Sequence, residues 1–346
     1  MPDMPGTDRY EQYEWPVAAN AALAKLVSYF FPETLVQLNR QSIDSLERAE
    51  NYRMKQSTSW SIFRRSQDFG RRIADAIFAW SKTDGAILAN TGYIPPEFPG
   101  AWEPTPPAYA APASPYYGTS RPFLSEDLNT VSAPLPFRFS ANRFSQFYAM
   151  AKAVYRVSKT MSQDERNTAL YWNDAGVGYA SPPGHNISIL TQVLDNSGAD
   201  LATAAIAYAK TGIAMHDAVL ICWRSKYWYN VIRPITYINE YIDPSWTPLI
   251  VTPPHPEYPS GHSVITGSFM QVMTALFGNS YSFTDNTYGT QFGGARTYSS
   301  FNAAADECAQ SRFYGGIHYQ NAIQEGLRVG RKLGRSVGRL DLLTYQ

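Results

Sequence analysis

Between residues 226 and 318 lie seven side chains and backbone groups of the types needed to hold, and then use, a tetrahedral oxyanion. Lys226 and Arg233 stand seven apart in KYWYNVIRP, Ser260, Gly261 and His262 follow in PSGH, and Arg312 precedes His318 by six in SRFYGGIHY. Three cations can neutralise such an anion. A hydroxyl and a glycine N–H can orient it, and two imidazoles can supply proton transfer and a covalent bond. Each fragment alone has a plainer reading: a solvated Lys/Arg face, a helix cap followed by a structural histidine, a surface arginine. All three together, in this order, point to one pocket.

The elements that carry these residues can be read from pattern. A continuous helix would put Lys226 and Arg233 on one face, two turns apart; a break before Pro234 would leave Arg233 at its last turn. Trp223, Tyr227, Trp228, Tyr229 and Ile232 around them suggest an aromatic, partly dry wall. Ser260 is a natural N-cap, and the unpaired N–H groups of a helix start favour an anion. From it Ile265, Phe269, Val272, Met273 and Leu276 recur on one helical face. Gly315 and Gly316 predict a tight turn folding Arg312 and His318 onto the same pocket.

Helical periodicity also covers about residues 17–82, 141–172 and 185–223, and predicts two last helices, Phe301 to Arg312 and His318 to Arg339. TYINEYI (236–242) and the region 281–298 carry weak β signals, enough for small hairpins at most. The Pro- and Gly-rich stretch 90–136, with its Trp, Tyr and Phe, reads as a long ordered loop packed over a surface. The expected fold class is all-α, roughly ten helices forming either one large bundle or two packed ones. Residues 1–16 read as a flexible N-terminus, and 17–346 as a single helical domain with its chemistry between 223 and 318.

Composition narrows the function classes. With 29 basic and 29 acidic residues there is no extended basic field, so no nucleic-acid partner is expected. Leu201 to Trp223 is the most apolar stretch, but Lys210, His216 and Asp217 interrupt it, which predicts a buried helix and no membrane span. Cys222 and Cys308 lack metal-ligand spacing and read as buried thiols. His185 and His216 read as structural. The first sixteen residues show no basic start, apolar run or cleavage site of a secretory signal.

The ordered set Lys-x6-Arg-Pro, Pro-Ser-Gly-His, Ser-Arg-x5-His resembles the signature shared by vanadium-dependent haloperoxidases and the type 2 phosphatidic acid phosphatase superfamily. The resemblance implies their helical-bundle fold and a cage for vanadate, with phosphate occupying it in vanadate's absence. Lys226, Arg233, Ser260, Gly261 and Arg312 would hold the oxyanion, His318 would bind vanadium, His262 would be the acid–base, and Lys226 would polarise the oxidant. Trp223 sits where haloperoxidases carry a halide-pocket tryptophan. His255 resembles the histidine of algal bromoperoxidases, which points to bromide and iodide over chloride.

YWNDAGVGYASPPGHN, at 171–186, resembles the segment whose Asp supports the second cage arginine, implying Asp174 beside Arg312; the register there is one residue off. GAWEPTPPAY (100–109) resembles a stretch of bacterial haloperoxidases. The activity implied is halide oxidation by hydrogen peroxide, releasing hypohalous acid to a small organic acceptor. The alternative is a soluble acid phosphatase with His318 as nucleophile and His262 as leaving-group acid. Oligomeric state stays open, as does compartment, where the periplasm or secretion is the expectation for an oxidant generator.

Overall fold

The computed structural model describes residues 4–31, 37–175 and 179–342; Gly176, Val177 and Gly178 of the turn-rich segment after Asp174 lie outside the described residues. Twelve α-helices, three short 3-10 helices and one two-stranded hairpin make up the regular structure of the described residues, so the all-α expectation holds. The chain divides into two compact units, 1–87 and 88–346, whereas the sequence reading set its only boundary at residue 16. The first unit holds α1 (Trp15–Phe30), α2 (Gln37–Lys55) and α3 (Trp60–Ser81) around Val17, Met54 and Phe63. An ion pair of 2.7 Å between Lys25 and Asp75 ties α1 to α3.

The second unit holds α4 (Ser125–Thr130), α5 (Gln146–Thr160), α6 (Gln163–Tyr171), α7 (Pro182–Ser197), α8 (Leu201–Tyr229), α9 (Pro234–Tyr241) and α10 (Gly261–Phe277). The hairpin β1 (Phe283–Asp285) and β2 (Arg296–Tyr298) follows, then α11 (Phe301–Tyr314) and α12 (Gln320–Gly338). The hairpin falls inside the expected 281–298 region, with Phe283 opposite Tyr298. The 236–242 segment is not a strand but α9. Pro234 occupies its first turn with φ already helical, and burial of Ile235, Tyr237 and Ile238 rewards the helical register.

α8 is the one helix among the described residues long and apolar enough to cross a membrane by length and composition. Its buried positions, including Ala207, Thr211, Ala214, Ala218, Ile221 and Cys222, run along the helix at three- and four-residue spacing and join the core. Cys222 and Cys308 are both free and buried, as composition predicted.

Two features of this unit decide where the chemistry sits. Gly326, Gly330 and Gly334 recur every fourth residue on α12, where a Cβ on Gly330 would stand 2.3 Å from the Val264 carbonyl and one on Gly334 2.4 Å from that of Ser268. Only glycine permits that approach, so α12 presses directly on α10 and fixes the helix whose first turn carries Ser260, Gly261 and His262.

The stretch 90–136, a long loop interrupted by α4, is the second. It is ordered, as expected, and buries Trp102, Thr105 and Ser120. Asp217 on α8 pins it by accepting the N–H groups of Phe123 and Leu124, each at 2.8 Å. Trp102 donates to the Asn230 carbonyl and Ile232 to that of Gly100, so the loop also clamps the chain between α8 and α9.

Candidate active site

Lys226 comes from the last turn of α8, but Arg233 does not share its helix. Asn230 ends α8 in the left-handed region at φ 48°, its N–H returning to the Lys226 carbonyl, and Arg233 is extended as the residue before Pro234 must be. The two-turn spacing therefore brings the cations together by a different route than a shared helical face. Both are fully buried, as is Arg312 at the end of α11.

Ser260 caps α10, its hydroxyl oxygen accepting the Ser263 N–H, and Gly261 begins the helix. His318 follows the turn in which Gly316, at φ 79°, takes a left-handed conformation that strains other residues and packs tightly against Pro248 and Trp246. That turn folds His318 back beside Arg233.

The hydrogen bonds define the state of each ring. Arg233 Nη1 donates toward His318 Nε2 at 3.3 Å and to the Ile317 carbonyl at 2.8 Å. Across the ring, His318 Nδ1 lies 2.8 Å from Glu257 Oε1, a carboxylate that also accepts the Tyr319 N–H. Only the tautomer with its proton on Nδ1 satisfies both sides. His318 thus presents an unprotonated Nε2 among the cations, which is the atom a metal oxyanion or a phosphorus centre would take.

Glu257 was not singled out by sequence reading. The available signal was a carboxylate three residues before Ser260, in HPEYPSGH, where every neighbour is apolar or part of the motif. A ligand histidine held by a carboxylate is tuned by it, and losing such a partner typically costs about 10–100-fold in affinity. Glu257→Gln is expected to weaken binding of a tetrahedral oxyanion by that factor, measured by equilibrium dialysis with orthovanadate as the probe, while leaving the helices intact by circular dichroism.

His262 accepts from Arg312 Nη1 at 3.0 Å, with Asp174 Oδ2 3.7 Å from the same nitrogen. Its side chain is 16% exposed, against 3% for His318. One imidazole is therefore open to a solvent-borne reactant and the other is sealed. Burial, then the charge of Arg312, holds His262 well below the ordinary histidine range; burial, then Arg233 and Lys226, does the same to His318. Both rings are therefore neutral at pH 7.

His255 and Trp223 adjoin this cage. Their ring centroids are 5.0 Å apart, and His255 Nδ1 accepts from Arg233 Nη2 at 2.9 Å. Gly261 faces the Trp223 ring as well, so one wall serves both the wedge of α10 and the arginine. The loop fixes that wall: Trp223 Nε1 and the Tyr227 hydroxyl both donate to the Ala113 carbonyl, and the Ala113 N–H donates to Pro254.

Asp174 lies within electrostatic reach of Arg312 but makes no hydrogen bond to it. Its hydrogen bonds go to His185 Nδ1, at 2.8 Å, and to the Tyr288 hydroxyl, at 2.5 Å, and none reaches Arg312. Arg312 is within its electrostatic reach but spends two donors on His262 and the Asn173 carbonyl through Nη1 alone. His185 was read as structural; the side chains that it joins belong to the vicinity of the site. His216, bonded to the Arg121 carbonyl, keeps its structural reading.

Whether an oxyanion fits can be judged from the charges left over. Lys226, held by the carbonyls of Pro256 and Glu257, is pushed down to about 7 by burial, and Arg233 to about 10, while Glu257 is pushed up to about 7. Arg312 Nε and Nη2 are buried without any hydrogen-bond partner. A fold that buries three cations against so few anions, each burial costing several kcal/mol, fits a bound polyanion that recharges them. At a spacing of ~4 Å and an effective dielectric constant of ~20, each added contact with a unit negative charge contributes about 4 kcal/mol.

Comparison with known proteins finds relatives of one family. Residues 207–341 match the family model of the second helical-bundle domain of vanadium chloroperoxidase. Vanadium chloroperoxidase of Curvularia inaequalis is 25% identical over 262 residues, covering 60% of this chain; the chain spans 42% of that protein's length. The crystal structure of the first bacterial vanadium-dependent iodoperoxidase superposes with a TM-score of 0.86 at 34% identity, over 96% of this chain and 81% of its own. The holo form of a bacterial vanadium-dependent chloroperoxidase shares the fold, with a TM-score of 0.74 at 15% identity over 93% of this chain and 81% of its own.

Proposed function

Since the chain belongs to the vanadium-dependent haloperoxidase family, we propose that it oxidises bromide, iodide or both with hydrogen peroxide, producing hypohalous acid for a small organic acceptor. The observation that carries this reading is His318 Nε2, unprotonated and facing Arg233, among three buried cations that only the carboxylates of Glu257 and Asp174 offset. Vanadate, when bound, would activate peroxide toward the halide without changing its own oxidation state.

The chain's residues divide the remaining work. His318 would hold vanadium through Nε2, its orientation set by the Glu257 carboxylate. Lys226, Arg233 and Arg312, with Ser260 and the Gly261 N–H, would bind the oxygens. Lys226 enters this set as the softest cation, able to share a proton near neutrality. His262, neutral and partly exposed, would take the proton of incoming peroxide and return it as the product hydroxyl forms. The wall of Trp223 and neutral His255 excludes water where the halide would approach, and a polarisable bromide or iodide suits an aromatic wall of this kind better than a strongly hydrated chloride. The 34% identity to a protein described as an iodoperoxidase supports the same direction.

The same cage atoms would serve phosphoryl transfer, so the test measures both activities. Protein stripped with chelator is reloaded with orthovanadate or with phosphate, then assayed for iodide, bromide and chloride oxidation and for phosphomonoester hydrolysis. Vanadate-dependent oxidation, with kcat/KM for iodide and bromide above that for chloride and negligible hydrolysis, is expected. A robust phosphatase that vanadate inhibits would overturn the proposal.

A further inference from the structure

Residues 253 to 257, Pro-Pro-His-Pro-Glu, run beside the cage with every carbonyl engaged. Proline has no N–H, so the segment cannot pair as a regular strand and its carbonyls are left for other donors. Lys226 Nζ donates to those of Pro256 and Glu257 at 2.7 and 3.0 Å, and Arg233 to those of His255 and Pro253 at 2.9 and 3.4 Å. Only the Pro254 carbonyl serves neither cation. It accepts the Ala113 N–H, at 2.8 Å, from the stretch 90–136.

Ala113 in turn offers its own carbonyl to α8, where it accepts the Trp223 Nε1–H at 3.2 Å and the Tyr227 hydroxyl at 2.7 Å. We infer that Tyr227 is a positioning residue: through the Ala113 carbonyl its hydroxyl holds the Trp223 indole at the rim of the cage, and so sets how well the site takes a halide without touching the groups that bind the oxyanion. The halide in this inference rests on the haloperoxidase reading; the tether rests on the hydrogen bonds alone.

Tyr227 is the fixed post of the arrangement. Tyr93 meets its ring edge-on at 5.0 Å, and the Tyr93 hydroxyl donates at 2.7 Å to Asn230 Oδ1, while the Asn230 amide donates to the Tyr227 carbonyl. Burial, then Tyr93, raises the Tyr227 hydroxyl above the ordinary tyrosine range, so it stays a donor. The Ala113 peptide, by contrast, needs holding. Ser114 beside it lies at φ 50°, a left-handed conformation that a non-glycine residue keeps only under constraint from its surroundings. Asn90 Oδ1 accepts the Ser114 N–H at 2.8 Å, which leaves the Ala113 carbonyl to the two donors of α8.

The indole has a single polar atom, so Ala113 is the one hydrogen-bonded anchor for its orientation. Its ring stands 5.0 Å from that of His255, and a Cβ on Gly261 would lie 3.7 Å from its Cζ3. It therefore borders both the imidazole that accepts from Arg233 and the first turn of α10. A small rotation of the indole would change the space open to an anion there, while the bonds from residues 253–257 to Lys226 and Arg233 stay as they are.

Tyr227→Phe keeps the ring against Tyr93 and leaves the Ala113 carbonyl one donor, so no buried acceptor is orphaned and the variant should fold. In ¹H–¹⁵N spectra of the unloaded protein, the Trp223 indole peak among those of the eight tryptophans is identified by its absence from Trp223→Phe. Tyr227→Phe is expected to shift that peak and to speed its exchange with solvent. An unmoved peak overturns the tether.

With the vanadate-loaded enzyme, Tyr227→Phe should raise KM for iodide by about 2–10-fold, the factor that corresponds to one hydrogen bond, and leave KM for peroxide and orthovanadate affinity in equilibrium dialysis within ~2-fold of wild type. In the Trp223→Phe background the same replacement should add nothing, because a residue acting through Trp223 has nothing left to act on. An unchanged iodide KM, a full effect that persists without Trp223, or a matching loss of orthovanadate affinity each overturns the proposal. A shifted indole peak in a protein whose wild type oxidises no halide would instead sink the haloperoxidase reading and leave the tether standing.

Discussion

Vanadate dialyses away from His318→Ala and stays with the wild-type protein: this is the largest effect expected of any single replacement in the cage. The cations remain in the variant and still attract an oxyanion, but the only unprotonated nitrogen facing Arg233 from the Gly316 turn is gone. Loss of a partner one shell out already costs about 10–100-fold, so loss of the coordinating atom should exceed ~100-fold in dissociation constant. A complication is that Ala also strips Glu257 of its imidazole donor, leaving the buried carboxylate with the Tyr319 N–H alone.

An unsatisfied buried acceptor costs about 1–3 kcal/mol, so the variant should melt earlier for reasons unrelated to vanadate. His318→Gln separates the two effects, because its amide N–H can still reach Glu257 while offering no basic nitrogen. Both variants should lose vanadate, and only His318→Ala should lose stability as well. Tight retention by His318→Ala would show that vanadium is bound elsewhere.

The residues proposed for the cage lie in short linear stretches, and the structure brings them together. A helix start, a glycine turn and a pre-proline arginine each present their groups through local geometry, so spacing alone carries most of the information. Even there the route differed at Arg233, which reaches the cage from extended chain after Asn230 ends α8, not from two turns further along it. The α9 segment misled because its Thr, Tyr and Ile residues are of strand-favouring types; what decides it is Pro234 before it and the core beside it. Pattern within a segment does not know its neighbours.

The supporting residues were out of reach for the same reason. His185 and Asp285 stand a hundred positions apart, and their meeting depends on β1 closing against α7. Nothing in either local sequence signals the other. Asp174 was singled out through resemblance; it acts electrostatically on Arg312, but its hydrogen bonds go to His185 and Tyr288, which the sequence did not indicate. The glycines of α12 could have been noticed as a four-residue repeat, but only the contact with Val264 and Ser268 shows that they set the depth of α10 and hence of His262. Residues that touch a ligand tend to be legible from motif; residues that hold those residues in place are legible from the fold.

His262→Ala tests the division of labour from the opposite side. If His262 moves protons and His318 holds the metal, this variant should keep vanadate within about tenfold of wild type and lose kcat by about 10²–10⁴-fold, the span that a positioned acid–base group contributes. The binding should survive because His262 offers the cage no charge: burial and Arg312 keep it neutral. Its removal even frees Arg312 Nη1, which now donates to it at 3.0 Å, to turn toward the anion. Turnover should fail because no other proton acceptor of suitable strength is both near and open to solvent; His318 is committed at both nitrogens, and His255 receives Arg233. Equilibrium dialysis and steady-state kinetics on the same preparation give the two numbers. A loss of vanadate matching that of His318→Ala would make His262 a cage ligand, and the proton of peroxide would then have to leave by way of Lys226, the one cation whose burial brings it to about 7.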